Sequence, residues 1–129
     1  NEQARRLLFL LFPTDVAESF YREFGDIVAA ARARASVELL NRQAAAMDAW
    51  HQNGVASQLR EIRVPALIAT GTEDIVIPAS NALKLVSAIP GAWLARFPHS
   101  GHAFLAQYPR ALADLINSFL ALSPAHNAE

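Results

Sequence analysis

The chain has 129 residues, an apolar content of 53% and a formal net charge of −1, which suit one globular domain or a large piece of one. The charge balance provides no basic field for nucleic acid, and no apolar run is long enough to cross a membrane. Because cysteine is absent, disulfides, thiolate metal sites and a cysteine nucleophile are excluded, and we expect a cytoplasmic location.

The first part of the chain predicts helices. A short apolar helix over 4–12 ends before a proline. Asp15, with an acidic residue three positions later, predicts the capped start of a second helix that ends at Gly25. A longer helical stretch covers 26–52, with a break expected near Ser36, whose side chain can cap a new helix.

The second part of the chain predicts the order strand, helix, strand, helix. A nearly continuous apolar stretch over 64–70 is typical of a strand buried on both faces of a parallel sheet, and a helix follows over 79–88. A second strand over 92–97 and an amphipathic helix from Pro109 complete the unit. The pattern predicts two parallel strands joined by a right-handed crossover.

Two residues that can carry chemistry follow the two predicted strands, Asp74 after the first and His102 after the second. Functional groups of parallel sheets gather at the carboxyl ends of the strands, and neighbouring strands lie about 5 Å apart. We therefore predict that the Asp74 carboxylate binds one ring nitrogen of His102, which leaves the other nitrogen to act as a general base. A serine in a Gly-x-Ser-x-Gly motif, which would serve as the nucleophile, does not occur in the sequence.

Other polar residues near these loops have simpler interpretations. Glu73 is the competing carboxylate, but the spacing to the next proline favours Asp74. His99 is predicted to be an ordinary loop histidine, because neither cysteine nor a helical His-Glu-x-x-His motif accompanies it. Nothing shapes a nucleophile elbow around Ser100, so we do not expect it to be the nucleophile.

Four motifs in the second half resemble, in their order and spacing, the carboxyl-terminal part of the α/β-hydrolase superfamily. They are Leu59-x-x-Ile62-x-Val64-Pro65-x-Leu67, Gly71-x-x-Asp74-x-x-x-Pro78, Ala88-Ile89-Pro90-Gly91-Ala92 and Pro98-x-x-Gly101-His102. The resemblance implies that Asp74 and His102 are the acid and the base of a catalytic triad. It also implies an α/β fold in which 1–58 is a helical cap, 59–122 is the terminal βαβα part of the core, and 123–129 is a frayed tail.

The same resemblance implies a function. The whole enzyme would hydrolyse an ester or a related small apolar substrate without a metal or nucleotide cofactor, and upstream sequence would supply the nucleophile, so that this chain alone would be inactive. The alternative is a non-catalytic remnant or interaction module of hydrolase ancestry that forms oligomers. Two strands alone form a poor sheet with an exposed apolar edge, so we expect a homodimer or larger oligomer through that edge or through exchanged helices. No nucleic-acid or membrane partner is expected.

Overall fold

The computed structural model describes residues 1–123, which form helices around a pair of strands. In chain order the elements are α1 (Glu2–Leu11), α2 (Thr14–Ala33), α3 (Val37–Gln52), a 3₁₀ helix (Ala56–Glu61), β1 (Leu67–Gly71), α4 (Ala79–Ala88), β2 (Trp93–Phe97), α5 (Phe104–Gln107) and α6 (Pro109–Leu122). The predicted α/β order of the second half is confirmed. The predicted tail over 123–129 lies outside the described residues, apart from Ser123. None of the helices in this part of the chain is long and apolar enough to span a bilayer.

The strands β1 and β2 pair in parallel, with Leu67 opposite Trp93 and Gly71 opposite Phe97. The crossover helix α4 packs against both strands. Because parallel strands point the same way, the loops that follow them leave the sheet at the same end, where the strands have their carboxyl ends. We call the loop after β1 the acid loop (residues 72–78) and the loop after β2 the histidine loop (residues 98–103).

Helix α2 is longer than the sequence predicts. It begins at Thr14, one residue before the predicted cap Asp15, with Pro13 at the cap position, and it continues through Gly25 to Ala33. The predicted stop at Gly25 is therefore wrong. Gly25 is buried beside the ring of Tyr21, which a Cβ at this position would contact, so this glycine provides space for packing and does not end the helix.

The main apolar cluster lies between α1 and α2. Leu8, Phe12 and Ala17 are buried there, and Ala103 of the histidine loop packs against them. The Phe12 ring stacks on that of Phe20 with 4.5 Å between ring centroids. Helices α1 and α2 therefore pack against the histidine loop.

Helix α3 differs, because none of its residues is buried. Its most exposed large apolar side chains are Val37, Leu39, Met47 and Trp50. The break predicted before it is present, and the Oγ of Ser36 accepts a hydrogen bond from the Leu39 amide at 3.1 Å. Local capping, and not packing, therefore defines the start of this helix.

Candidate active site

The acid loop holds the carboxylate of Asp74 in one orientation. Its Oδ1 accepts hydrogen bonds from the amides of Val76 at 2.9 Å and Ile77 at 2.8 Å. Its Oδ2 lies 3.0 Å from the Nδ1 of His102. The Asp74 side chain is only 6% exposed, so its two oxygens are occupied and shielded from solvent.

The geometry defines which nitrogen of His102 is available. An ionised carboxylate only accepts hydrogen bonds, so Nδ1 donates to Asp74, and in the neutral ring Nε2 then carries the lone pair. Nε2 makes no hydrogen bond within residues 1–123, and the side chain is 35% exposed. The contact predicted from the sequence is therefore present, and the catalytic role of the pair stays a prediction.

Two glycines allow the histidine loop to lie directly on its neighbours. A Cβ at Gly71 would collide with the carbonyl oxygens of Ser100 and Gly101, and a Cβ at Gly101 would collide with the carbonyl oxygen of Leu11. The amide of Ala103 also donates to that Leu11 carbonyl at 2.9 Å. The end of β1 and the end of α1 thus position the loop that carries the base.

Side chains from α5 and the start of α6 brace the histidine loop. The Oε1 of Gln107 accepts from the Gly101 amide at 3.2 Å, and its Nε2 donates to the His99 carbonyl at 3.0 Å. The hydroxyl of Tyr108 donates to the Pro98 carbonyl at 2.9 Å. Sequence reasoning missed both bracing residues, because hydrogen bonds from side chains to a loop backbone leave no periodic signal.

Ser100 is fully buried, and its Oγ donates to the Phe97 carbonyl at 2.8 Å. A hydroxyl that is shielded from solvent and committed to a backbone acceptor cannot reach a substrate. The structure therefore agrees with the prediction that Ser100 is not the nucleophile.

His99 lies between two carboxylates, an arrangement that the sequence did not predict. Its Nε2 is 3.1 Å from the Oδ2 of Asp15 in α2, and its Nδ1 is 3.0 Å from the Oε1 of Glu73 in the acid loop. The hydrogen bond with Asp15, and next that with Glu73, raises the pKa of His99, and the same bond with His99 lowers the pKa of Asp15. Glu73 thus binds His99 and leaves His102 to Asp74.

A cavity of about 170 Å³ lies beside the acid–base pair. Its walls include Ile68 and Thr70 of β1, Leu85 of α4, and Phe104 after the histidine loop, together with His102. Most of this lining is apolar, so the base faces a small and mainly apolar space. Among the described residues no cluster of three histidine, aspartate or glutamate side chains is arranged to hold a metal ion.

No family model matches the chain. A 2-hydroxy-6-oxo-6-phenylhexa-2,4-dienoate hydrolase of Burkholderia cepacia is 34% identical to it over 83 residues, which are 64% of this chain and 28% of that protein. The solved serine hydrolase CarC, which is involved in carbazole degradation, is 27% identical, with a TM-score of 0.61 over 76% of this chain and 40% of that one. The enol-lactonase from Burkholderia xenovorans LB400 is 21% identical, with a TM-score of 0.71 over 93% of this chain and 44% of its own.

These relatives and structural neighbours are α/β-hydrolases. The resemblance to the α/β-hydrolase superfamily is therefore confirmed, and the chain has the fold of a fragment of such an enzyme. The chain spans less than half the length of each protein compared above.

Proposed function

We propose that this chain is the carboxyl-terminal part of an α/β-hydrolase, in which His102 is the general base and Asp74 is the acid of the triad. The observation that carries the proposal is the 3.0 Å contact between the shielded Asp74 carboxylate and the Nδ1 of His102. This contact lies at the carboxyl ends of two parallel strands. In this proposal residues 1–58 form the cap over the site, and residues 59–122 form the end of the core.

The geometry supports a definite division of roles. The Nε2 of His102 would take the proton from a nucleophile hydroxyl as that oxygen attacks the substrate carbonyl, and would then return the proton to the leaving group. Asp74 would stabilise the imidazolium that forms between these steps. Because the amides of Val76 and Ile77 already orient this carboxylate, it need not reorganise as charge develops on the ring.

The remaining parts of such a site would come from sequence upstream of Asn1. The chain has no Gly-x-Ser-x-Gly motif, and its serine beside the base is buried. The cavity of about 170 Å³ is also smaller than the roughly 300–1,000 Å³ that ligand pockets usually have, which favours a site completed by further residues. We therefore propose that the 129-residue chain does not hydrolyse esters by itself.

The substrate that fits best is an ester or a related small apolar molecule. The apolar lining by Ile68, Leu85 and Phe104 supports this class. The likeness to a dienoate hydrolase supports a dienoate as a close alternative substrate for the same acid and base. The chemistry requires no metal or nucleotide, and the cytoplasmic location expected from the sequence stays a prediction.

Turnover of p-nitrophenyl butyrate by the product of the full reading frame tests this proposal. We expect activity that falls about 10⁴-fold or more in His102→Ala, because the base is lost, and no activity above buffer for the 129-residue chain. His51→Ala, which removes an exposed histidine from α3, is the matched control and should keep the activity. Robust activity of the 129-residue chain that His102→Ala abolishes would refute an upstream nucleophile.

A second candidate function, a non-catalytic module that forms a homodimer, is favoured by the edge of β1. Within residues 1–123 this strand pairs with β2 alone. The Ala66 carbonyl and the Thr72 amide both form hydrogen bonds with β2, so the even-numbered residues of this stretch face β2. Ala69 has an odd number, so its amide points to the other edge of β1, where a strand of a second copy could pair.

Sedimentation at micromolar concentration separates the two functions. The second function predicts a dimer that Ala69→Pro converts to a monomer, because proline removes the amide at the open edge while the bonds to β2 remain. A compact wild-type monomer that unfolds cooperatively would exclude this function. A reading frame with no nucleophile upstream of Asn1 would favour it over the hydrolase.

A further inference from the structure

We propose that His99 is a positioning residue, whose ring ties the acid loop and the start of α2 to the histidine loop and so keeps Asp74 in register with His102. This inference rests on the proposed function, because it concerns the same acid–base pair. It assigns to His99 a role that neither the motifs nor the superfamily resemblance implies.

Three separate parts of the chain meet at the His99 ring. Glu73, which binds Nδ1, is the immediate neighbour of Asp74, and His99 itself lies three positions before His102. Asp15, which binds Nε2, lies in the first turn of α2 and is 84 positions away in sequence. One side chain thus links the acid loop, the histidine loop and helix α2.

The link requires a protonated ring. Asp15 and Glu73 can both accept hydrogen bonds from His99 only when both ring nitrogens carry protons, since a neutral imidazole donates from one nitrogen alone. These two carboxylates are the charged groups that face the ring, one from α2 and one from the acid loop. Within residues 1–123 the one further hydrogen bond of His99 is uncharged, and it runs from the Gln107 side-chain amide to the His99 carbonyl.

The backbone of His99 is also held in a particular conformation. Its φ angle is 43°, in the left-handed region that few residues other than glycine adopt. Gln107 binds its carbonyl and so fixes this turn. Asparagine adopts the same backbone conformation readily, so His99→Asn removes the ring while it retains the turn.

The link acts directly on the pair that the proposed function needs. The acid and the base lie on different loops, and the distance between them depends on how these loops sit against each other. The His99 bridge restrains that distance in addition to the backbone contacts of Gly71. If His99 were only a surface ion pair, its loss would leave His102 unchanged, because exposed pairs alone contribute little.

Nitrogen-15 NMR of the histidine rings in the 129-residue chain tests the proposal. We expect the measured pKa of His99 to fall in Asp15→Asn and in Glu73→Gln, and to fall further in the double variant. We also expect the Nδ1 proton of His102 to exchange with water several-fold faster in His99→Asn and in the double variant than in the wild type. The ratio of this exchange rate in His99→Asn to that in the wild type should shrink as pH rises through the titration of His99, because the wild type then loses the link as well.

Asp26→Asn in α2 and Glu61→Gln in the 3₁₀ helix are the matched controls, because they remove a carboxylate without touching His99. Neither should alter either histidine signal. An unchanged exchange rate of the His102 proton in both His99→Asn and the double variant would overturn the positioning role and leave the proposed acid–base pair intact. Absence of a bonded Nδ1 proton on His102 in the wild type would contradict the pair itself, and the proposed function with it.

Discussion

Two stretches of the helical segment both carry large apolar side chains, but their environments are opposite and α3 is the less amphipathic of the two. The helix pair α1–α2 buries Leu8 and Phe12, and its apolar cluster includes Ala103 of the histidine loop. Helix α3 buries none of its residues, although it carries Leu40, Met47 and Trp50. The apolar pattern alone therefore predicts a helix without predicting its partner, and only the first stretch is in a position to support the acid–base pair.

Substitution of the buried cluster should give the largest contrast between the two stretches. Phe12→Ala removes a ring that packs on Leu8 and stacks on Phe20, so it should lower the free energy of unfolding by about 3–5 kcal/mol. Leu40→Ala in α3 removes a half-exposed side chain and should change it by less than about 0.5 kcal/mol. Urea unfolding measures both, and equal losses would remove the distinction between the stretches.

The second-largest effect is expected for a substitution at the contact between α1 and the histidine loop. Gly101→Ala forces a Cβ against the Leu11 carbonyl, so the backbone must shift at a cost of about 1–3 kcal/mol. Gly54→Ala, just after α3, places its Cβ in ordinary contact with the Trp50 carbonyl and should be neutral or stabilising by about 0.4–1 kcal/mol. A harmless Gly101→Ala, by the same unfolding assay, would show that the docking is loose.

The smallest expected effect is the pH dependence of the His99 link. Since the pKa of His99 is raised on folding, its contribution to stability is complete below about pH 6.5 and is lost as pH rises through the raised value. The lowered pKa of Asp15 means that its contribution is present above about pH 3.9 and is lost as pH falls through the lowered value.

The difference in stability between the wild type and Asp15→Asn should therefore be greatest between about pH 4 and pH 6.5 and should shrink at higher pH. The effect is modest because both side chains are more than half exposed. Urea midpoints at a series of pH values measure it. A difference that stays constant from pH 5 to pH 9 would show that the pair does not titrate in this way.

The residues predicted from sequence share one property, which is that local patterns specify them. Asp74 and His102 follow apolar strands in short loops, and parallel pairing of those strands brings the two loops to one edge. The continuation of α2 through Gly25 depends on packing of the helix around Tyr21, which outweighs the usual tendency of a glycine to end a helix. The partners of His99 were not predictable, because only the tertiary structure brings Asp15 to it across 84 positions.

The kcat of the full reading-frame product with Asp74→Asn tests the acid–base pair most directly. Asparagine keeps the size of the side chain, but it cannot stabilise the imidazolium or hold the required tautomer of His102. We predict a fall of about 10⁴-fold in kcat toward p-nitrophenyl butyrate, with Asp26→Asn at the wild-type value. A kcat for Asp74→Asn equal to that of the wild type would contradict the assignment of this carboxylate and of the base that it holds.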